Sequence, residues 1–167
     1  MIGTPSQVEA GVGDAVTALF ISPVEEAQGT LAKIFDSMQW KLLIASTLSA
    51  GLELIRSDGS MPLVICDSDL KPGTWKELLE EVVDMSQVPV LIVSSHIADR
   101  HLWAEALHLG VRDVLARPFD ENEVIRTVSL AWHHWNGLKT WQRKTRAPYA
   151  QCEEAARLEL SEAGEPV

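Results

Sequence analysis

From residue 15 onward, short apolar runs alternate with longer stretches of helical periodicity. The runs cover 15–21, 42–45, 63–66, 90–93 and 114–116, and Val, Ile, Leu and Ala dominate them. Each is too short for an ordinary helix, and none alternates strictly between apolar and polar residues. Strands covered on both faces, as in a parallel sheet, have this pattern. The intervening stretches space their apolar side chains three and four apart. Leu31, Ile34, Phe35 and Met38 share a face over 25–38, Leu52 and Ile55 over 49–56, and Leu78, Leu79, Val82 and Met85 over 74–85. Leu102, Ala106 and Leu109 do so over 99–109, and Val124, Val128, Ala131 and Trp135 from residue 120.

The punctuation fits these elements. Ser22-Pro23-Val24-Glu25 reads as a capping box with proline at the first helical position, and Thr74-Trp75-Lys76-Glu77 as a second. Gly110 and Gly137 stand where helices should stop. Strand and helix alternate five times over 15–136, which predicts an α/β domain with right-handed crossovers. Residues 1–14 have no apolar periodicity and are expected to form a flexible leader. The extension, 137–167, is expected to be partly helical or disordered. It opens with basic Lys139, Arg143, Lys144 and Arg146 and ends acidic, with Glu153, Glu154, Glu159, Glu162 and Glu165. Roughly thirty residues are too few for a second core, so no appended catalytic or DNA-binding domain is expected.

Composition narrows the function by exclusion. A chain of 167 residues, 46% hydrophobic and 23% charged, suits one globular domain. A formal net charge of −10 repels nucleic acid, and the short basic stretch does not reverse that, so no DNA partner is expected. No apolar run approaches the ~20 residues of a membrane span. The start lacks a secretory signal. Two cysteines, Cys66 and Cys152, do not make a disulfide scaffold, and a cytoplasmic setting is expected. Cys66 lies inside an apolar strand and reads as a small buried residue. Among the five histidines, His101 and His108 are seven apart and His133 and His134 adjacent, with no third ligand to suggest zinc.

Open α/β sheets place their sites beyond the carboxyl ends of the strands. Those ends read Ser22-Pro23, Ser46-Thr47, Asp67-Ser68-Asp69, Ser94-Ser95 and Arg117-Pro118. Asp67, Ser94 and Arg117 supply a carboxylate nucleophile, a hydroxyl donor and a fixed cation. That set suits an anionic tetrahedral group such as phosphoryl. A plainer reading stands beside it: Asp67 caps a turn, Ser94 is a satisfied strand-end hydroxyl, and Arg117 pairs permanently with Asp67.

Over residues 15–136 the sequence resembles the receiver domain of bacterial response regulators. The carriers are Val64-Ile65-Cys66-Asp67, Val88-Pro89-Val90-Leu91-Ile92-Val93-Ser94-Ser95, and Gly110 followed by Val114-Leu115-Ala116-Arg117-Pro118-Phe119. The resemblance implies a flavodoxin-like, doubly wound sheet of five parallel strands in the order 2-1-3-4-5, with helices on both faces. It implies Asp67 as phosphoacceptor, Ser94 as the hydroxyl that contacts the phosphoryl group, and a cis peptide before Pro118. It also implies a Mg²⁺ site using Asp67 and the backbone carbonyl of Asp69.

Three features depart from the family. The acidic pair that holds Mg²⁺ after the first strand is replaced by Ser22-Pro23, so Mg²⁺ is expected to bind weakly. Reading Glu25-Glu26 as that pair would push Pro23 into a central strand, where it removes a ladder hydrogen bond. Arg117 replaces the family's lysine, a wider forked donor in place of a compact ammonium. Val114 stands where many receivers carry the aromatic ring that reports phosphorylation.

The resulting expectation is an atypical, stand-alone receiver in a two-component or phosphorelay pathway, without enzymatic activity beyond self-phosphorylation and self-dephosphorylation. Its partners would be a histidine kinase or phosphotransfer protein, and a downstream protein meeting the fourth and fifth helices through Trp103, Leu107 and Trp132. The same surface is a candidate for homodimer formation. One alternative is a pseudo-receiver that binds partners without phosphorylation. Another is a small-ligand-binding flavodoxin-like protein or enzyme. It is disfavoured because no glycine-rich phosphate loop follows the first strand, where Glu25 and Glu26 would face a phosphate.

Overall fold

A computed structural model describes residues 16–97 and 99–138 of the 167. The expected leader, the basic stretch, the acidic tail and Cys152 lie outside the described residues. Five strands form the sheet: β1 (Thr17–Ile21), β2 (Lys41–Ala45), β3 (Leu63–Asp67), β4 (Val90–Ser95) and β5 (Asp113–Ala116). The helices are α1 (Glu25–Ser37), α2 (Leu48–Asp58), α3 (Trp75–Val82), α4 (Arg100–His108) and α5 (residues 121–138). All strand pairs are parallel and run in the order β2-β1-β3-β4-β5, as the resemblance implied.

Side chains along a strand point alternately to the two faces, and each face has its own core. Leu19, Ile21, Val64, Cys66 and Val93 pack against α2, α3 and α4 through Ile55, Leu78 and Ala106. Phe20, Ile65, Ile92 and Leu115 pack against α1 and α5 through Leu31, Phe35, Val124 and Val128. Every residue of β3 is buried, which explains its unbroken apolar run. Burying each such side chain stabilises the fold by roughly 1.5–3 kcal/mol. Gly51 lets α2 lie close on β1: a Cβ there would collide with Ile21 Cδ1 and stand 2.8 Å from its Cγ1.

Four local expectations need correction. The Ser22 hydroxyl does not cap α1. The cap position is Val24, without a side-chain cap, and Pro23 lies outside the helix. The second box behaves as expected, with Thr74 Oγ1 accepting from the Glu77 N–H at 3.2 Å. Met38 and Leu109 are exposed rather than on the core faces, because both helices end just before them. Ile44 is also exposed, since β2 is an edge strand. Gly137 does not stop α5, which continues through residue 138, where the described residues end. Gly110 does mark a helix end, with φ +106° directly after α4 and its cap Leu109.

Candidate functional site

Phe20, Ile65, Ile92 and Leu115 all face α1 and α5. Two residues further along each chain segment stand Ser22, Asp67, Ser94 and Arg117. The two-residue period therefore carries these four to one side of the sheet's carboxyl edge. Register sharpens this: Ile21 pairs with Cys66, which sets Ser22 beside Asp67, and Asp67 pairs with Ser94. Three backbone bonds extend the sheet past its edge, from the Ser22 N–H to the Ala45 carbonyl, from the Ser68 N–H to the Ser94 carbonyl and from the Arg117 N–H to the Ser95 carbonyl.

Asp67 is fully buried and its carboxylate accepts three hydrogen bonds. Ser22 Oγ donates to Oδ2 at 2.8 Å. The Asp69 N–H donates to Oδ1 at 3.0 Å, and Arg117 Nη2 donates to the same oxygen at 2.9 Å. The direction of the serine bond is fixed by its surroundings. Ser22 Oγ accepts from the Val24 N–H at 3.1 Å, so its proton is free for the carboxylate, which only accepts when ionised. Arg117 is itself largely buried, with 12% of its side chain exposed. The pair is thus an interior one, whose desolvation is offset by charge-assisted bonds.

Two polar atoms here lack a partner among the described residues: Ser94 Oγ, fully buried, and Arg117 Nε. A buried hydroxyl without a partner is costly. Asp69 turns its side chain outward, where Oδ2 meets His96 Nδ1 at 3.1 Å across the mouth of the site. Both groups are more than half exposed, so this contact adds little to stability. A cleft of about 290 Å³ opens beside Arg117, with Glu26, Thr30, His96 and Phe119 in its walls. The Phe119 ring packs edge-on against Phe20 at 5.9 Å, anchoring the segment after β5. The Arg117–Pro118 peptide is cis, as is Lys71–Pro72.

The donor set does not fit a divalent cation. Mg²⁺ takes oxygen acceptors, commonly one or two carboxylates with water or phosphate oxygens. Both Asp67 oxygens already receive hydrogen bonds, and the first-strand end offers a hydroxyl that donates. No group of three or more His, Cys, Asp and Glu side chains suited to a metal occurs among the described residues. Beneath the site, burial first and the Asp67 charge second push the Cys66 thiol well above its ordinary pKa, so it remains a protonated core residue.

Asp67 and Arg117 meet directly, and Ser94 adjoins Asp67 in register. Sequence reasoning missed two contacts. Ser22 fits the pattern of a helix cap, although aligning the ends of the apolar runs already sets it beside Asp67. The His96–Asp69 pair joins two loops, and no periodicity signals it. On the outer helices, Trp103 and Leu107 are exposed, whereas Trp132 is half-buried and stacks on Trp135 at 5.8 Å. No helix among the described residues is long and apolar enough to cross a membrane.

No family model matches the chain, and no curated protein matches it. Solved structures do. The signal receiver domain of an HD domain-containing protein from Pseudomonas fluorescens superposes with a TM-score of 0.70 at 21% identity, covering 78% of this chain and 96% of that one. A response regulator receiver domain protein from Clostridium thermocellum gives 0.67 at 17%, covering 74% and 98%. A chemotaxis response regulator of Vibrio cholerae gives 0.63 at 13%, covering 70% and 98%. At these identities the likeness establishes the fold, and the fold of this chain is that of a response-regulator receiver domain.

Proposed function

We propose that this chain is a receiver-like signalling module of a two-component or phosphorelay pathway, acting through protein contacts from a fixed state of its Asp67 end. The observation that carries this reading is the Arg117–Asp67 ion pair at 2.9 Å, with the carboxylate fully buried. An attacking carboxylate oxygen must reach a phosphorus atom in line. Here both oxygens are turned into donors and away from solvent. The pair thereby holds the Asp67 end in one bonded arrangement. The contact surface is proposed on α4 and α5, with Trp103 and Leu107 exposed on α4.

A second reading rests on the partnerless hydroxyl of Ser94, buried next to Asp67. In it, Asp67 attacks a phosphohistidine of a kinase or phosphotransfer protein. The new O–P bond forms as the P–N bond breaks, histidine leaves, and Ser94 and Arg117 hold the phosphoryl oxygens. This route requires Arg117 and Ser22 to release the carboxylate first. Incubation with acetyl phosphate and Mg²⁺, followed by intact-mass measurement, separates the two. An unmodified mass is expected. A phosphoryl adduct that disappears in Asp67→Asn would establish the phosphoacceptor reading instead.

A further inference from the structure

We infer that Ser22 determines the ligand preference of the Asp67 site: its hydroxyl takes the place of a divalent cation, and the site keeps its structure without metal. The inference deepens the fixed-state reading above and rests on it. Three observations carry it.

The first is the direction of the hydrogen bond. Ser22 Oγ donates to Asp67 Oδ2 at 2.8 Å, and its other bond, from the Val24 N–H, leaves the proton directed at the carboxylate. A cation approaching Oδ2 from the Ser22 side would meet that proton. Coordination would require the hydroxyl to turn away and leave its bond to a carboxylate unmade.

The second is how firmly Ser22 is held. Its N–H donates to the Ala45 carbonyl at 3.0 Å, and its carbonyl accepts from Gln28 Nε2 on α1 at 2.6 Å. Both backbone groups and the hydroxyl are therefore engaged, and the side chain is fully buried. A group fixed on every side acts as a preorganised donor and does not have to be ordered when Asp67 is to be held.

The third is charge. Asp67 contributes one negative charge, and Arg117 balances it at 2.9 Å. Adding a divalent ion to this neutral pair, with no second buried carboxylate at the end of β1, would leave excess positive charge in a desolvated site. The acidic side chains on the first turn of α1, Glu25 and Glu26, are exposed, and Asp69 is drawn outward to His96. Placing an acid at position 22 reverses both conditions at once: it removes the donor and supplies a second carboxylate next to Asp67.

The test is a Mn²⁺ titration of the full chain by calorimetry, with melting temperature followed with and without the metal. Wild type is expected to show no saturable binding that depends on Asp67 up to roughly 10 mM, the range of the weakest measurable sites. Ser22→Asp is expected to bind at least tenfold more tightly and to gain a metal-dependent rise in melting temperature. The inference is overturned by wild-type binding that Asp67→Asn abolishes, or by a folded Ser22→Asp that gains no affinity. The wild-type arm alone decides the matter if Ser22→Asp does not fold. Acetyl phosphate treatment in Mg²⁺ and in EDTA keeps the two proposals apart. An adduct formed equally in both overturns the fixed-state reading but leaves Ser22 in its role. An adduct that requires Mg²⁺ overturns both, and metal binding without an adduct overturns only this inference.

Discussion

Arg117, directly after β5, donates Nη2 to Asp67 Oδ1 at 2.9 Å, closing an ion pair between residues fifty positions apart. The aspartate is fully buried and the arginine nearly so, which places the pair among those whose rupture is expensive. Removing one partner leaves an uncompensated charge in the interior. Arg117→Ala should therefore destabilise the protein by about 3 kcal/mol. Adding Asp67→Asn should recover part of that loss, because the orphaned charge goes with it. Urea denaturation of the two single variants and the double variant checks this. Additive losses in the cycle would mean the pair is not coupled.

Gly51 is set by packing. A methyl group there runs into the Ile21 side chain between α2 and β1. Gly51→Ala should cost about 1–3 kcal/mol, although alanine is the better helix former. Combining it with Ile21→Val removes the Cδ1 atom and should restore part of the loss beyond what the single variants predict. Thermal unfolding of the four proteins reads this coupling.

The two hydroxyl residues expected to cap helices should behave differently. Thr74→Ala removes a bond to the Glu77 N–H and should cost about 1 kcal/mol, the ordinary value for a cap. Ser22→Ala should cost more, because it withdraws a donor from a buried carboxylate. Equal losses in chemical denaturation would show that the Ser22–Asp67 bond carries no special weight.

Cys66 supplies a pH-dependent term whose sign is fixed by its burial. Its thiol in the folded protein ionises well above the ordinary 9.0, so the folded state holds a proton that the unfolded chain gives up. Its contribution to stability is fully present below pH 9 and is lost as pH rises further. The loss is about 1.4 kcal/mol per pH unit. Cys66→Ala should show a shallower decline above pH 9 than wild type in denaturant titrations. Native alkylation with iodoacetamide at pH 8 should leave the Cys66 peptide unmodified, as read by mass spectrometry.

Much of the fold was legible in the sequence because its elements follow from short-range chemistry. The run 63–66 has no polar residue and reads as a strand covered on both faces; every side chain of β3 is buried. Thr74 sits three residues before Glu77, and its hydroxyl meets that N–H. Where expectation failed, two local roles competed for one side chain. Ser22 followed by proline and glutamate satisfies the pattern of a helix start. A charge-assisted bond to Asp67 is stronger than a neutral cap, and the hydroxyl goes there. Gly137 likewise looked like a stop, but α5 continues across it beside the buried Trp135.

The sequence by itself determined which residues reach the carboxyl edge of the sheet. Strand side chains have a period of two, so Ser22, Asp67, Ser94 and Arg117 inherit the face of Phe20, Ile65, Ile92 and Leu115. What those residues do to one another was decided only by tertiary structure. Strand order and register set Ser22 and Ser94 on opposite sides of Asp67, and the turn after β5 brings Arg117 over it. The partners are 45, 27 and 50 positions distant in the chain. No local propensity acts over such separations. The direction of each hydrogen bond, and with it the set of donors gathered on one carboxylate, depends on which neighbour's lone pair or proton is already engaged. That is settled when the strands have paired and α1 has packed against them.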